Sequence, residues 1–277
     1  MAHIEGALHA EALGLPDAPP MVFVHPNPMD ASTWLYQTAH FSTWFRCVAV
    51  DLPGYGRSPR ASEGLTMVDI ADACWEAVDA HATDDRAVLV GCSVGGAVVQ
   101  HMYHRRPERT DSVVISGCGW SEVKEFAPGR IAAYQAGGLG YRADYALESF
   151  GKSFRTTPLS KWLVDLWMER NATADLDSIL RMFAALGAPD PEWLSRELRA
   201  PTLVIRGSED YAVGAQTLAD RIPNAEFVEL AGAGHACHLE QPWVFDAEVL
   251  RFLRANGHHD LPAESSFGSS SSRTIRG

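Results

Sequence analysis

A serine with a glycine two residues away on either side stands at Gly91-Cys92-Ser93-Val94-Gly95, just after an apolar run and just before a helical pattern. A strand that turns sharply into a helix needs small residues on both sides of its apex, because the apex backbone is strained. Such a turn projects the hydroxyl outward, and the helix N-terminus favours negative charge developing beside it. A serine still needs a base to take its proton and an acid to orient that base. Two later segments supply them: Gly207-Ser208-Glu209-Asp210 follows one apolar run, and Ala231-Gly232-Ala233-Gly234-His235 follows another. Ser93, Asp210 and His235 are therefore candidates for nucleophile, orienting acid and base. Glu209 is an alternative acid, His238 an alternative base, and Cys92 an alternative nucleophile. As the residue before the apex, Cys92 should point into the sheet.

These residues must be held by a scaffold. Short apolar runs at 21–25, 47–51, 87–92, 113–116, 202–206 and 227–230 alternate with amphipathic helical patterns at 66–81, 94–105 and 243–254. That alternation predicts an α/β fold with a mostly parallel sheet, helices on both faces and strands apolar on both sides. Ligands bind at the carboxyl ends of the strands in such sheets, and all three candidates fall there. The rhythm breaks between Gly117 and Pro201, an aromatic-rich stretch with helical periodicity and no convincing strand. It reads as an insertion of three or four helices.

In this setting the chain resembles the α/β-hydrolase family over about residues 6–255. The resemblance is carried by His25-Pro26-Asn27-Pro28 after one strand, by Asp51-Leu52-Pro53-Gly54-Tyr55-Gly56-Arg57-Ser58 after the next, and by the turn at Ser93. Gly207-Ser208-Glu209-Asp210 and Gly234-His235 with Glu240-Gln241-Pro242 complete it. It implies Ser93 as nucleophile, His235 as general base then acid, Asp210 as its orienting residue, and Asp51 as a turn anchor. The oxyanion hole should combine the backbone N–H of Val94 with one from the loop after the first strand. Pro26 replaces the family's commoner glycine and has no N–H, which leaves the backbone of Asn27, helped by its side-chain amide. With the insertion read as the family's helical cap (120–196), the chain divides into a core (1–119 and 197–256), that cap and, from its composition, a tail (257–277). His25, Trp120, Tyr134, Trp162, Trp167 and Met182 are candidates for the substrate pocket. Arg130, Arg142, Arg155, Arg170 and Arg181 could each pair a substrate carboxylate, and none stands out.

The implied activity is serine-hydrolase cleavage of an ester, lactone or amide of a small, largely apolar molecule, with no cofactor. A carbon–carbon hydrolase of diketone ring-cleavage products would use the same triad, but Ala236 stands where those enzymes usually have tryptophan. A catalytically idle, receptor-like member is the alternative from another class, and an acyltransferase would share the acyl-enzyme. Haloalkane dehalogenases have a similar Asn-Pro pair but an aspartate nucleophile.

Composition narrows the partners. The 277 residues carry 23 Lys and Arg against 35 Asp and Glu, a formal charge of −12, which disfavours nucleic acid or an anionic membrane surface as partner. No apolar run approaches the ~18 residues of a membrane span. Without a signal-peptide pattern, the five cysteines are expected as buried free thiols in the cytoplasm. His101 with His104, and His258 with His259, lack a third ligand at zinc spacing, so no metal is expected. A monomer or homodimer acting on a small molecule is the expected form. Beyond about Asn256 the chain is rich in Ser and Gly and is expected to be a disordered tail.

Overall fold

The computed structural model describes residues 3–83, 85–118, 120–143, 145–187, 193–261 and 271–274, with side chains for all but 120–126 and 271–274. Eight strands form one sheet: β1 (Ala10–Leu13), β2 (Pro20–Val24), β3 (Arg46–Val50), β4 (Ala87–Cys92), β5 (Thr110–Ser116), β6 (Thr202–Gly207), β7 (Ala225–Leu230) and β8 (Ser271–Thr274). Their spatial order is β1-β3-β2-β4-β5-β6-β7-β8. β1 and β8 run antiparallel at the two edges, and the six between them are parallel. All six strands expected from the sequence are present.

The strand interiors are apolar on both sides because each face is covered. Val22, Val24, Val48, Val50, Leu89, Val113 and Val204 lie in the core on one face. Met21, Phe23, Cys47, Val88, Val90, Val114, Leu203 and Val228 lie in the core on the other. The alternation is the period-2 geometry of a strand. Helices α1 (Leu35–Phe41), α2 (Met67–Asp79) and α3 (Val94–Arg105) follow the first strands in turn. The start of α2 is fixed by a capping box in which Thr66 and Asp69 satisfy each other's backbone N–H groups.

The insertion between β5 and β6 is helical, with α4 (Trp120–Gly137), α5 (Pro158–Ala172), α6 (Leu176–Gly187) and α7 (Trp193–Arg196) joined by 3₁₀ turns. Helix α6 buries Ile179, Met182 and Phe183 in the same core as Tyr134 of α4. The loop after β3 docks onto the start of α6: Asp175 N–H donates to the Gly54 carbonyl at 2.8 Å, and a Cβ on Gly54 would lie 2.2 Å from that of Ser178. Beyond the insertion come α8 (Ala215–Arg221), α9 (Cys237–Glu240) and α10 (Pro242–Ala255), which covers the second face of the sheet with α1.

The C-terminal segment differs from expectation where it is described. Leu261 is buried, His258 Nε2 lies 2.8 Å from Asp111 Oδ2, and 271–274 extends the sheet. Apolar burial and backbone pairing hold these pieces despite the polar composition around them. The rest of the expected tail lies outside the described residues.

Candidate active site

Helix α3 begins immediately after β4, with Ser93 between them at φ 54° and ψ −115°. It is the sole residue other than glycine with positive φ among those described. The glycines around it are demanded by contact. A Cβ on Gly91 would sit 2.2 Å from the Gly95 carbonyl oxygen, and one on Gly95 would sit 2.1 Å from that of Val24. The turn is thus pressed against the end of β2, at the point where strand order reverses between β2 and β4. That is where a doubly wound sheet leaves a crevice. Ser93 N–H is anchored to the Ser116 carbonyl at 2.8 Å.

His235 comes to the same place from the loop after β7. Its Nδ1 is 2.9 Å from Asp210 Oδ1, and the side chains are 7% and 0% exposed. Asp210 Oδ1 also accepts from the Ala212 N–H at 2.8 Å. The imidazole stands over Gly117, the residue after Ser93's anchor, where an added Cβ would lie 3.1 Å from both Cε1 and Nδ1. Tyr211 stacks on the ring, with centroids 4.5 Å apart and planes 23° apart.

An alpha/beta hydrolase family model matches residues 21–247. The chain belongs to this family. The acetyltransferase component of an acetoin-cleaving system from Pseudomonas putida is 27% identical over 255 residues, 87% of this chain and 65% of that one, so this hydrolase spans under two thirds of that relative's length. An uncharacterized carboxylesterase of Bacillus subtilis is 25% identical, covering 90% of this chain and 84% of its own. Among solved structures, an N-acyl homoserine lactone degrading enzyme superposes with a TM-score of 0.77 at 26% identity, covering 90% of this chain and 98% of that one. This hydrolase is an enzyme, and among its described residues no helix is long and apolar enough to cross a membrane.

The alternatives weighed from sequence find other partners. Glu209 accepts from the Lys152 N–H at 2.6 Å. His238 is fully buried, with Nε2 3.0 Å from Thr33 Oγ1 and its ring 4.4 Å from that of Trp34. Burial and the neighbouring His235 push its pKa down to about 3. Asp51 accepts from the Ala31 and Arg57 N–H groups at 2.8 and 2.9 Å. The thiol of Cys92 is buried, which raises its pKa well above the ordinary value, and all five cysteines are free and buried.

Asn27 holds a defined orientation. Its Oδ1 accepts from Tyr55 Oη at 2.6 Å and from Tyr134 Oη at 3.1 Å, which turns its amide nitrogen away from both. Val94, at the first position of α3, is nearly buried.

The expected pocket residues separate. Tyr134 reaches the loop of Asn27 as described. Trp167 is buried and stacks on Phe150 at 5.0 Å, in a cluster with Ala236 beside His235. Met182 lies in the core beneath. Two expectations are corrected. His25 is wholly buried, its Nδ1 donating to the Pro26 carbonyl at 3.0 Å and its Nε2 accepting the Leu52 N–H at 2.9 Å, so it braces two loops. Burial holds its pKa below the ordinary value against the nearby Asp51. Trp162 is 56% exposed, because it lies on the outer face of α5. The side chain of Trp120 lies outside the described residues.

Sequence reasoning missed Tyr211, although it adjoins Asp210, and Tyr55, which stands inside a quoted motif. Nothing local distinguished Arg142 from the other arginines.

One further relationship ties the insertion to the base. A Cβ on Gly234 would lie 2.7 Å from the Gly151 nitrogen, and one on Gly151 would lie 2.0 Å from the Gly232 oxygen. Ala236 N–H donates to the Ser149 carbonyl at 2.9 Å, and Glu240 Oε2 accepts from both Gly151 and Gly234 N–H groups at 2.9 Å.

Proposed function

We propose that this chain is a serine hydrolase that cleaves an ester, lactone or amide bond of a small, largely apolar substrate through an acyl-enzyme on Ser93. The observation that carries the reading is the strained Ser93 apex beside a buried imidazole bonded to Asp210. His235 takes the hydroxyl proton as Ser93 attacks the carbonyl, and Asp210 holds the proton on Nδ1 so that Nε2 faces the serine. The Val94 and Asn27 N–H groups stabilise the developing oxyanion, with the oriented Asn27 amide beside them. The imidazolium then protonates the leaving group. In the second half, water gives a proton to His235 and attacks the acyl carbon, and His235 returns that proton to Ser93 Oγ as the acid leaves. The helical insertion over 120–196 serves as the cap, with Tyr134 and Trp167 among its inward-facing residues.

Reaction with a fluorophosphonate probe, followed by peptide mapping, tests this directly. Label is expected on Ser93 in the wild type and absent from Ser93→Ala. A folded wild type that takes no label would overturn the activated serine.

A further inference from the structure

Arg142 presents an imbalance that nothing in the proposed chemistry uses. It lies in the 3₁₀ turn after α4, is 3% exposed, and its Nε has neither solvent nor a hydrogen-bond partner. Among the described residues no carboxylate pairs with it; its neighbours are the phenols Tyr211, Tyr134 and Tyr141. Burial keeps Tyr55 and Tyr134 protonated beyond their ordinary range, so they offer dipoles and not a countercharge. A guanidinium has five N–H donors and does not deprotonate in proteins, so one that is buried with a hydrogen bond to the Tyr211 hydroxyl and no carboxylate is costly.

Its position matters as much as its isolation. Tyr211 contacts the guanidinium and also stacks on His235. Tyr134 lies beside it and hydrogen-bonds Asn27. Arg142 is therefore one side chain away from the base and one away from the oxyanion loop. Arg130 adds a second positive charge behind it, bonded to the Tyr141 hydroxyl.

Resting on the hydrolase reading, we propose that Arg142 binds a carboxylate carried by the substrate, so that the preferred substrates are esters or lactones with a free acid group close to the scissile carbonyl. The orphaned Nε and an adjacent Nη form the two-pronged edge that a carboxylate matches with parallel hydrogen bonds. The rings of Tyr134 and the partly exposed Tyr211 offer faces to the apolar part of the same molecule. Substrate binding would then supply the countercharge that Arg142 does not find among the described residues.

The test pairs monoethyl adipate with ethyl hexanoate, esters of similar length with and without the acid. Wild type is expected to favour the former by about 10–100-fold in kcat/KM, mostly through KM, and Arg142→Gln to bring that ratio near one. Arg142→Lys should keep part of it, since the charge remains and the fork is lost. Equal rates on both esters in the wild type, or losses on both in Arg142→Gln that leave the ratio unchanged, would overturn the proposal while the hydrolase stands. Calorimetry of adipate with Ser93→Ala reads the same site without turnover. Binding that Arg142→Gln abolishes supports the proposal even if neither ester is cleaved, and no binding at millimolar adipate refutes it.

Discussion

Tyr211 lies on His235 with ring centroids 4.5 Å apart and planes 23° apart, and it follows directly after the residue that accepts from His235 Nδ1. One short segment thus restrains the imidazole twice, in its plane through Asp210 and on its face through Tyr211. Removing the face contact should loosen the base without abolishing it. Tyr211→Ala is expected to lower kcat/KM by roughly two- to tenfold, the range of an aromatic pair, whereas Tyr211→Phe should retain the stacking contribution. Steady-state kinetics on a neutral ester separates the two; an inert Tyr211→Ala would remove stacking from the account.

The Asp210 side chain is fully buried, and its Oδ1 accepts from His235 Nδ1 and from the Ala212 N–H. Asp210→Asn keeps the shape but lets the amide donate, which selects the wrong imidazole tautomer. A fall of about 10⁴ in kcat is expected, with the circular dichroism spectrum retained. A loss smaller than tenfold would mean that another group orients the base.

The Ser93 turn depends on backbone contact as well as chemistry. Gly95→Ala would force a methyl to within 2.1 Å of the Val24 carbonyl oxygen, and strand β2 cannot yield without disturbing both faces of the sheet. We expect a cost of about 3 kcal/mol, or roughly 6–12 °C in Tm, together with loss of fluorophosphonate labelling. Calorimetry and labelling on the same preparation check both, and a wild-type melting point would contradict the contact.

His238 sets part of the response to acid. Its folded pKa of about 3 lies below the ordinary 6.5, so the unfolded chain binds more protons and stability falls as pH drops from about 6.5 toward 3. The full effect is about 5 kcal/mol at the bottom of that window. His25 works in the same direction. Urea midpoints measured from pH 7 to 4 should decline in the wild type and decline less steeply in His238→Gln, which keeps a partner for Thr33. Parallel slopes would exclude His238 as a source.

What was legible in the sequence follows from the range of the causes. Ser93, Asp210 and His235 stood out as candidates because each carries its glycines within a few residues, whether the contact that demands them is local, as for Gly91 against Gly95, or distant, as for Gly95 against Val24 and Gly234 against Gly151. The central strands were legible because two covered faces require unbroken apolar runs. Edge strand β1 was not: Ala10-Glu11-Ala12-Leu13 has no β-branched residue and buries one side only. His25 and Trp162 were misjudged because exposure is decided by the partner element, Leu52 in one case and the outer face of α5 in the other. Arg142 differs from the other arginines only through tyrosines that lie between 1 and 69 positions away in the chain, a distance that no local pattern spans.

The main-chain clasp between Gly151 and Gly234 bears on how molecules enter and leave. A door hung on this frame cannot swing from that edge, because residues 149–152 and the segment bearing His235 are sewn into one mechanical piece. Opening there would drag the base out of line with its serine. Whatever moves to admit and release a molecule must therefore leave this edge shut, with the imidazole kept over Gly117 through each cycle.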